Sequence, residues 1–596
     1  MRKRLVSGDI RPVDAGFSDL MRRYSPGLST EAGDLIADLS YALSQQHSCI
    51  NLDTDNSDLI EELNALPIVG NGEKPTPLVM AGNKLYLHRY FQYEKMIALS
   101  LISRNKKVPT SESLDVDSKL GLTLFEYFGS PGSTVDWQQI AALQALTRQL
   151  TIITGGPGTG KTSTVVKILA ILLEQDNSDD FIIKLAAPTG KAAMRLNQSI
   201  QQFLPQLPEK IRAKIPTGVS TIHRLLGSRR NGRSFRHNRD NPIAADLLIV
   251  DEVSMVDLTL MYRLLDALLP RTRLILLGDP EQLPSVEAGN VLADLCRDTA
   301  GYSAEFAIQV KALLGVDIPV RHKPRQLVDA MCHFDKSYRF SRDRGIGHLA
   351  RSIRAGESLL VSSEDDEVKI FSLDTLAGNN LGKEITSYYF EYEMLIQNPK
   401  IDALTLLANF EQTRILCAVR DGALGIESLN AEIERYLEAR NLKKIGQDFY
   451  HGRPIIITRN DYSLGLFNGD IGICIIDPKD HEIKTAFLNS AGELQLYLTS
   501  RLPPHETCFA MTVHKSQGSE FDHVTLILPG PTSDATEQLL TKELIYTAIT
   551  RARHSIAIYT DQQTWTAALA RTVERMSGIS SFLTFTDMND EQLDLF

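Results

Sequence analysis

The residues Gly155-Gly156-Pro157-Gly158-Thr159-Gly160-Lys161-Thr162 match the pattern G-x-x-x-x-G-K-[ST]. An apolar run from Leu150 precedes them, and a helix-like segment carrying Val165, Val166, Ile168, Leu169, Leu172 and Leu173 follows. The glycines therefore fall at a strand-to-helix turn, where consecutive backbone N–H groups converge on phosphate oxygens and the helix N-terminus adds partial positive charge. There Lys161 would lie along the β- and γ-phosphates of a nucleoside triphosphate, and Thr162 would offer a hydroxyl to Mg²⁺. A second chemical cluster stands where the apolar run Leu247 to Val250 meets Asp251-Glu252. A buried strand ending in two carboxylates can hold the metal through Asp251 and let Glu252 take a proton from an attacking water.

Further side chains suit the same chemistry. Gln282 follows the apolar run Arg273 to Leu277, within Gly278-Asp279-Pro280-Glu281-Gln282. A glutamine projecting from a strand end can touch the γ-phosphate; the same segment also reads as a Pro-bounded turn. Arg339, in Ser337-Tyr338-Arg339-Phe340, and Arg551, in Thr550-Arg551-Ala552-Arg553, are candidate phosphate cations. An arginine placed across a cleft from a phosphate loop stabilises the transferring phosphoryl group. Gln138, on an expected helix from Asp136 to Leu143, can present its amide to adenine or simply be solvated. The nucleotide-contacting set is expected to be Gln138, Gly155, Gly156, Pro157, Gly158, Thr159, Gly160, Lys161, Thr162, Ser163 and Glu520, with Thr162 and Asp251 as expected metal ligands.

Holding these residues together requires a parallel α/β sheet. The apolar run Phe181 to Ala187 ends in Pro188-Thr189-Gly190-Lys191 and a helical pattern through Met194 and Leu196, which completes a strand-helix-strand unit. We expect a first motor domain over residues 126–345 and a second over 346–596. Within the second, Asn460-Asp461-Tyr462 and Asn468-Gly469-Asp470 are turn signals between short β-prone runs, which predicts a small β insertion at about 445–505. A helix is expected over Glu537 to Arg553. Residues 1–125 show helical periodicity over Ala32 to Leu43 and Tyr90 to Ser103 with no catalytic cluster, so a helical domain that docks onto a partner is expected there. The polar stretch Lys106 to Lys119, with Pro109, Ser111, Ser113 and Asp115, reads as a linker or exposed loop.

A chain of 596 residues exceeds what one core supports, and 43% hydrophobic with 23% charged residues is ordinary for a soluble protein. There is no apolar run long enough to span a bilayer. Met1-Arg2-Lys3-Arg4-Leu5 is followed by Ser7, Gly8, Asp9 and Arg11, unlike a secretory signal. Cys49, Cys296, Cys332, Cys417, Cys474 and Cys508 are scattered, without zinc or disulfide spacing, so a reducing cytoplasmic setting is expected. The net charge of −11 argues against a protein that coats nucleic acid over its whole surface and leaves room for a local groove. The densest positive run, Arg229, Arg230, Arg233, Arg236, His237 and Arg239, reads equally as a solvated loop or as phosphate contacts.

In their order along the chain, Gln138, the phosphate loop, Thr189-Gly190-Lys191, Asp251-Glu252, Gly278-Asp279-Pro280-Glu281-Gln282, Tyr338-Arg339, His514-Lys515-Ser516-Gln517-Gly518 and Thr550-Arg551-Ala552-Arg553 resemble the superfamily 1 helicases over about residues 135–560. Asp251-Glu252-Val253-Ser254-Met255 and Val513-His514-Lys515-Ser516-Gln517-Gly518-Ser519-Glu520-Phe521 resemble the RecD branch. The N-terminal region and length are similar to the RecD subunits of RecBCD, the alpha chains of exodeoxyribonuclease V. The resemblance implies an α/β fold of two RecA-like P-loop domains with ATP between them and single-stranded DNA across their top. It further implies 5′-to-3′ movement and a heterotrimer with RecB-like and RecC-like subunits in double-strand break repair. It makes Lys161, Asp251, Glu252, Gln282, Arg339 and Arg551 the catalytic set, with Gln282, Arg339 and Arg551 sensing the γ-phosphate, and puts Thr189, Thr221 and His514 on the DNA side. No nuclease-type cluster of carboxylates and lysine is visible, so nuclease activity is expected of a partner chain. The alternatives are an RNA helicase or RNA-dependent ATPase of the same superfamily, and a P-loop ATPase switch that does not translocate; ATPase assays with single-stranded DNA, RNA or neither separate them.

Overall fold

The computed structural model describes residue 4 and residues 9–584, except 53–56, 109–117, 131, 176–179, 217, 229–233, 298–299, 324, 342–343, 358–365, 377–380, 462 and 490–491. Pro109, Ser111, Ser113, Asp115, Arg229, Arg230, Arg233 and Tyr462 therefore lie outside the described residues.

The N-terminal region is helical as expected, with helices Pro12–Tyr24, Thr30–Ser44, Ser57–Ala65 and His88–Arg104. It also holds a small sheet that the sequence does not announce. Strands β1 (Cys49–Asn51), β2 (Val69–Gly70), β3 (Leu78–Ala81) and β4 (Lys84–Leu87) pair in the order β1-β4-β3-β2. Segments this short carry almost no readable alternation. Helix His88–Arg104 packs on the neighbouring α/β domain: the Tyr93 ring stacks on Tyr262 at 4.4 Å, and buried Arg104 donates to Leu268 O and Leu269 O.

The first motor sheet is built from β5 (Leu150–Gly155), β6 (Ile183–Ala187), β7 (Ser220–Thr221), β8 (Leu247–Val250), β9 (Arg273–Gly278) and β10 (Met331–Phe334). Its order is β10-β5-β9-β8-β6-β7, parallel throughout. Both faces are covered, so β5 and β8 are buried at every position and their side chains divide between two cores. Parallel pairing also brings all the C-terminal strand ends to one edge, where Gly155 ends β5 and Asp251 and Asp279 follow β8 and β9.

In the second motor domain β11 (Val368–Phe371) and β12 (Thr413–Cys417) come first. An antiparallel insert follows: β13 (Pro454–Ile457), β14 (Ile471–Ile476), β15 (Ile483–Leu488), β16 (Leu494–Leu498) and β17 (His505–Thr507), in the order β16-β15-β14-β13-β17. The parent sheet resumes with β18 (Ala510–Thr512), β19 (Phe521–Ile527) and β20 (Ala552–Tyr559), giving the parallel order β11-β20-β19-β12-β18. Two RecA-like domains, a helical N-terminal domain and a β insertion make up the fold. The helix expected over Glu537 to Arg553 is instead two, Asp534–Leu539 and Lys542–Ile549. Thr541 separates them because its hydroxyl accepts from Leu544 N and starts a new helix. Arg551 consequently sits in the turn between helix Lys542–Ile549 and β20, and Arg553 lies in the strand.

Candidate active site

β5 delivers the phosphate loop and helix Lys161–Gln175 leaves it. Gly158 and Gly160 have φ of 72° and 85°, in the left-handed region that favours glycine. They are also contact points: a Cβ on Gly158 would lie 2.4 Å from Arg339 Cβ, and one on Gly160 2.4 Å from Gln138 Nε2. Bare backbone at these two positions lets Arg339 and Gln138 close on the loop. Lys161 Nζ donates to Gly155 O at 2.6 Å and Gly156 O at 3.0 Å, while Thr159 and Ser163 hydroxyls donate to Gly156 O and Gly160 O.

A cavity of about 270 Å³ is lined by the loop from Pro157 to Ser163 and by Asp251, Glu252, Gln282, Arg339, Glu520 and Arg551. The first four of these come from the phosphate-loop side of the cleft and its following segment, and Glu520 and Arg551 from the second motor domain. Gly156 borders an adjoining cavity of about 800 Å³ with Trp137, Phe334 and Tyr546. Gln138 donates to Thr159 O at 3.3 Å and borders a third cavity, about 240 Å³, with Trp137 and Tyr338.

Glu252 has φ of 54°, a left-handed conformation uncommon for a residue with a Cβ and of the kind found at functional sites. Its N–H donates to Asp251 Oδ1 at 2.8 Å. Burial, then the Glu252 carboxylate, pushes Asp251 above the ordinary carboxylate range, with Lys161 opposing. Two half-buried carboxylates that line one cavity with Thr162 form an all-oxygen donor set whose repulsion a hard divalent cation would relieve, so the residues fit Mg²⁺.

Arg551 is 2% exposed and fully engaged. It donates to Gln282 Oε1 at 2.7 Å, Ser519 O at 3.1 Å and Thr547 O at 3.1 Å. Gln282 in turn donates to Asp279 Oδ2 at 3.1 Å, which also accepts from Tyr546 OH at 3.1 Å. Leu283, next in the chain, donates to Thr547 Oγ1 at 2.8 Å and accepts from Gln517 Nε2 at 2.6 Å. The segment after β9 is thus tied directly to the second motor domain. Glu520 holds Arg339 Nη1 at 2.7 Å and Arg553 Nε at 3.2 Å, and also pairs with Arg195.

The three residues expected on the DNA side sit elsewhere. Thr189 and Thr221 follow or end adjacent strands β6 and β7, and each caps a helix by accepting from Ala192 N or Arg224 N at 3.2 Å. Each hydroxyl still has its proton to donate. His514 lies on the turn after β18, half-buried, and burial with nearby Arg575 lowers its pKa. The insert reaches the same edge, where the Arg224 guanidinium lies over the Phe467 ring at 4.5 Å. Of the basic run, Arg239 is 3.6 Å from Asp266.

Sequence reading gave no role to Arg195, Tyr338 or Tyr546. Each had a cue: Arg195 is one helical turn beyond Lys191, Tyr338 directly precedes Arg339, and Tyr546 is one turn before Thr550.

Comparison with known proteins agrees with this layout. Residues 138–288 match the AAA domain model, and residues 507–559 match the UvrD-like helicase C-terminal domain. RecBCD enzyme subunit RecD of Haemophilus influenzae is 37% identical over 543 residues, covering 85% of this chain and 81% of that one. The subunit of the same name from Mycolicibacterium smegmatis is 36% identical over 529 residues, with 87% and 85% covered. This chain belongs to the RecD family. A longer relative, the ATP-dependent RecD2 DNA helicase of Deinococcus radiodurans, is 29% identical over 437 residues, which is 73% of this RecD-family chain and 50% of that protein. Among the described residues, no helix is long and apolar enough to cross a membrane.

Proposed function

We propose that this RecD-family chain is an ATP-driven DNA helicase subunit of a RecBCD-type assembly, moving 5′-to-3′ on single-stranded DNA in the cytoplasm. The observation that carries the reading is the composite cavity, in which Arg551 of one motor domain is hydrogen-bonded to Gln282 of the other beside the phosphate loop. Lys161 exchanges the carbonyls it now holds for the β- and γ-phosphates. Adenine lies in the neighbouring cavity, between the Gln138 amide and the Tyr338 ring. Glu252 accepts a proton from water as its oxygen attacks the γ-phosphorus; the bond to the β-γ bridging oxygen breaks and ADP leaves with that electron pair. Arg551 and Arg339 offset the charge that develops on the phosphoryl oxygens. Mg²⁺, held by Thr162 and Asp251, would neutralise phosphate charge and orient the triphosphate.

Because both domains contribute, hydrolysis changes how tightly they are drawn together. Thr189, Thr221 and His514 grip the strand backbone at the far side of the sheets from β5, beside β6, β7 and β18, so alternating grip becomes movement with little sequence preference. Docking to a RecC-like subunit, beside a RecB-like one, falls to the N-terminal region. Helix Pro12–Tyr24 exposes Val13, Leu20 and Tyr24, with Phe17 half-buried between them. Their spacing puts them on one face of a helix whose other face is already packed.

ATPase assays with single-stranded DNA, RNA or no nucleic acid test the reading. Stimulation by DNA alone is expected; equal stimulation by RNA would favour an RNA-dependent motor. Displacement of streptavidin from only one end of a biotinylated strand reads direction, and no displacement from either end would point to a switch.

A further inference from the structure

We propose that Arg195 is a phosphate-binding residue of the first motor domain, and that Glu520 occupies its guanidinium until the terminal phosphate of ATP displaces the carboxylate. The inference rests on the nucleotide site argued above and deepens it. Arg195 lies on helix Gly190–Phe203, and its side chain lines the same cavity as Lys161, Thr162, Asp251 and Glu252. Its ion-pair partner is Glu520. That carboxylate gathers three guanidinium groups from separate parts of the chain: Arg195 from the first motor domain, Arg339 at 2.7 Å from the segment after β10, and Arg553 at 3.2 Å from β20.

An ion pair that only staples two domains needs one cation. Several arginines converging on one anionic group is the arrangement by which proteins recognise phosphate, because the planar fork fits carboxylate and phosphate oxygens alike. The cavity lining carries Lys161, Arg195, Arg339 and Arg551 against Asp251, Glu252 and Glu520, so positive groups outnumber negative ones. Burial favours the neutral acid at Glu520, but Arg195 and Arg339 outweigh it and hold the carboxyl well below its ordinary range, so it remains an anion that a phosphate must displace. ADP lacks the terminal phosphate that competes for these arginines; ATP has it. Glu520 therefore penalises ATP more than ADP, and Arg195 rewards ATP more than ADP.

This predicts opposite signs for two substitutions in the full-length chain. Binding of a non-hydrolysable ATP analogue and of ADP, each with Mg²⁺, is measured by calorimetry. Arg195→Ala should weaken the ATP analogue by about tenfold or more and change ADP by about twofold or less, the loss of a charge-assisted contact. Glu520→Gln should tighten the ATP analogue and leave ADP within the same limit. If the pair is only an interdomain staple, both substitutions shift affinity in one direction, or shift ATP analogue and ADP equally; either outcome overturns the inference. Should Arg195→Ala fail to fold, Glu520→Gln decides alone, and an unchanged or weaker ATP analogue overturns it. Lys161→Gln keeps the two levels of argument apart. If that variant binds both nucleotides normally, the nucleotide site itself is misassigned. If it loses them while Arg195→Ala and Glu520→Gln behave alike, this inference alone fails.

Discussion

Replacing Arg551 tests the catalytic role proposed for it beside the architectural one that its hydrogen bonds show. The guanidinium is 2% exposed, with all three nitrogens donating, to Gln282 Oε1, Ser519 O and Thr547 O at 2.7–3.1 Å. Arg551→Ala removes a cation positioned for the transferring phosphoryl group, a loss of about 10³-fold or more in kcat, or roughly 4 kcal/mol of transition-state stabilisation. It also strands buried acceptors at about 1–3 kcal/mol each, costs that do not add for neighbours in one network. Arg551→Lys keeps a buried charge but cannot reproduce the planar fork. It should therefore retain more stability than Arg551→Ala while still losing about 10²-fold in kcat, a fraction of the full arginine effect. The assay is steady-state ATP hydrolysis at saturating single-stranded DNA, with the thermal midpoint and the affinity for an ATP analogue measured alongside. A folded Arg551→Ala protein with wild-type kcat would refute the assignment. So would a fall in affinity that accounts for the whole effect, since the arginine would then act in ground-state binding.

Lys161→Gln should abolish hydrolysis without unfolding the chain, whereas Glu252→Gln should keep nucleotide binding and lose turnover; wild-type hydrolysis by the latter removes Glu252 as the base. Leu20→Glu with Tyr24→Glu should abolish co-purification with a RecC-like subunit and leave DNA-stimulated ATPase intact, and retained complex formation would exclude this helix face as the dock. Glu94, fully buried, accepts from Ser48 Oγ and Gly578 N; burial, with a smaller push from Asp294, raises its pKa to about 7. A carboxyl raised in the folded state contributes stability below its unfolded pKa and loses it as pH climbs through the folded one, so stability should fall between about pH 4.5 and 7 by up to about 3 kcal/mol. Glu94→Gln should flatten that slope in thermal midpoints, and an unchanged slope would show that Glu94 does not set it.

The candidate site was legible as a place because its residues sit where parallel strands end. A strand-turn-helix pattern fixes where Gly155 to Thr162 must lie, and a buried strand stopping at Asp251-Glu252 can only present those carboxylates at the same sheet edge. What a motif cannot carry is which partner a side chain holds. Nothing in Gly278-Asp279-Pro280-Glu281-Gln282 announces that Gln282 bridges Asp279 to Arg551, because that contact joins residues 269 apart in the chain. Glu520 was read as a nucleotide contact, and its grip on Arg195, Arg339 and Arg553 depends on three remote segments arriving at one place.

The N-terminal region shows the same limit from another side. The amphipathic pattern over Tyr90 to Ser103 marks an apolar face that must be covered, and periodicity cannot say by what. In the structure Tyr93, Ile97, Ala98, Leu101 and Ile102 share a core with Leu150 and Ile152 of β5, so this helix is covered by the first motor domain. The far end of the chain seals the region further: Ser48 N donates to Met576 O at 3.0 Å, and buried Arg575 joins Gln46 to the carbonyls of Glu287 and Gly289 at 2.9 and 2.6 Å. Removing residues 1–120 would strip part of the motor core, and a lost complex could then reflect misfolding as easily as a lost dock. Leu20 and Tyr24 on helix Pro12–Tyr24 are exposed and lie outside the motor core, so point substitutions there test the proposed docking where truncation cannot.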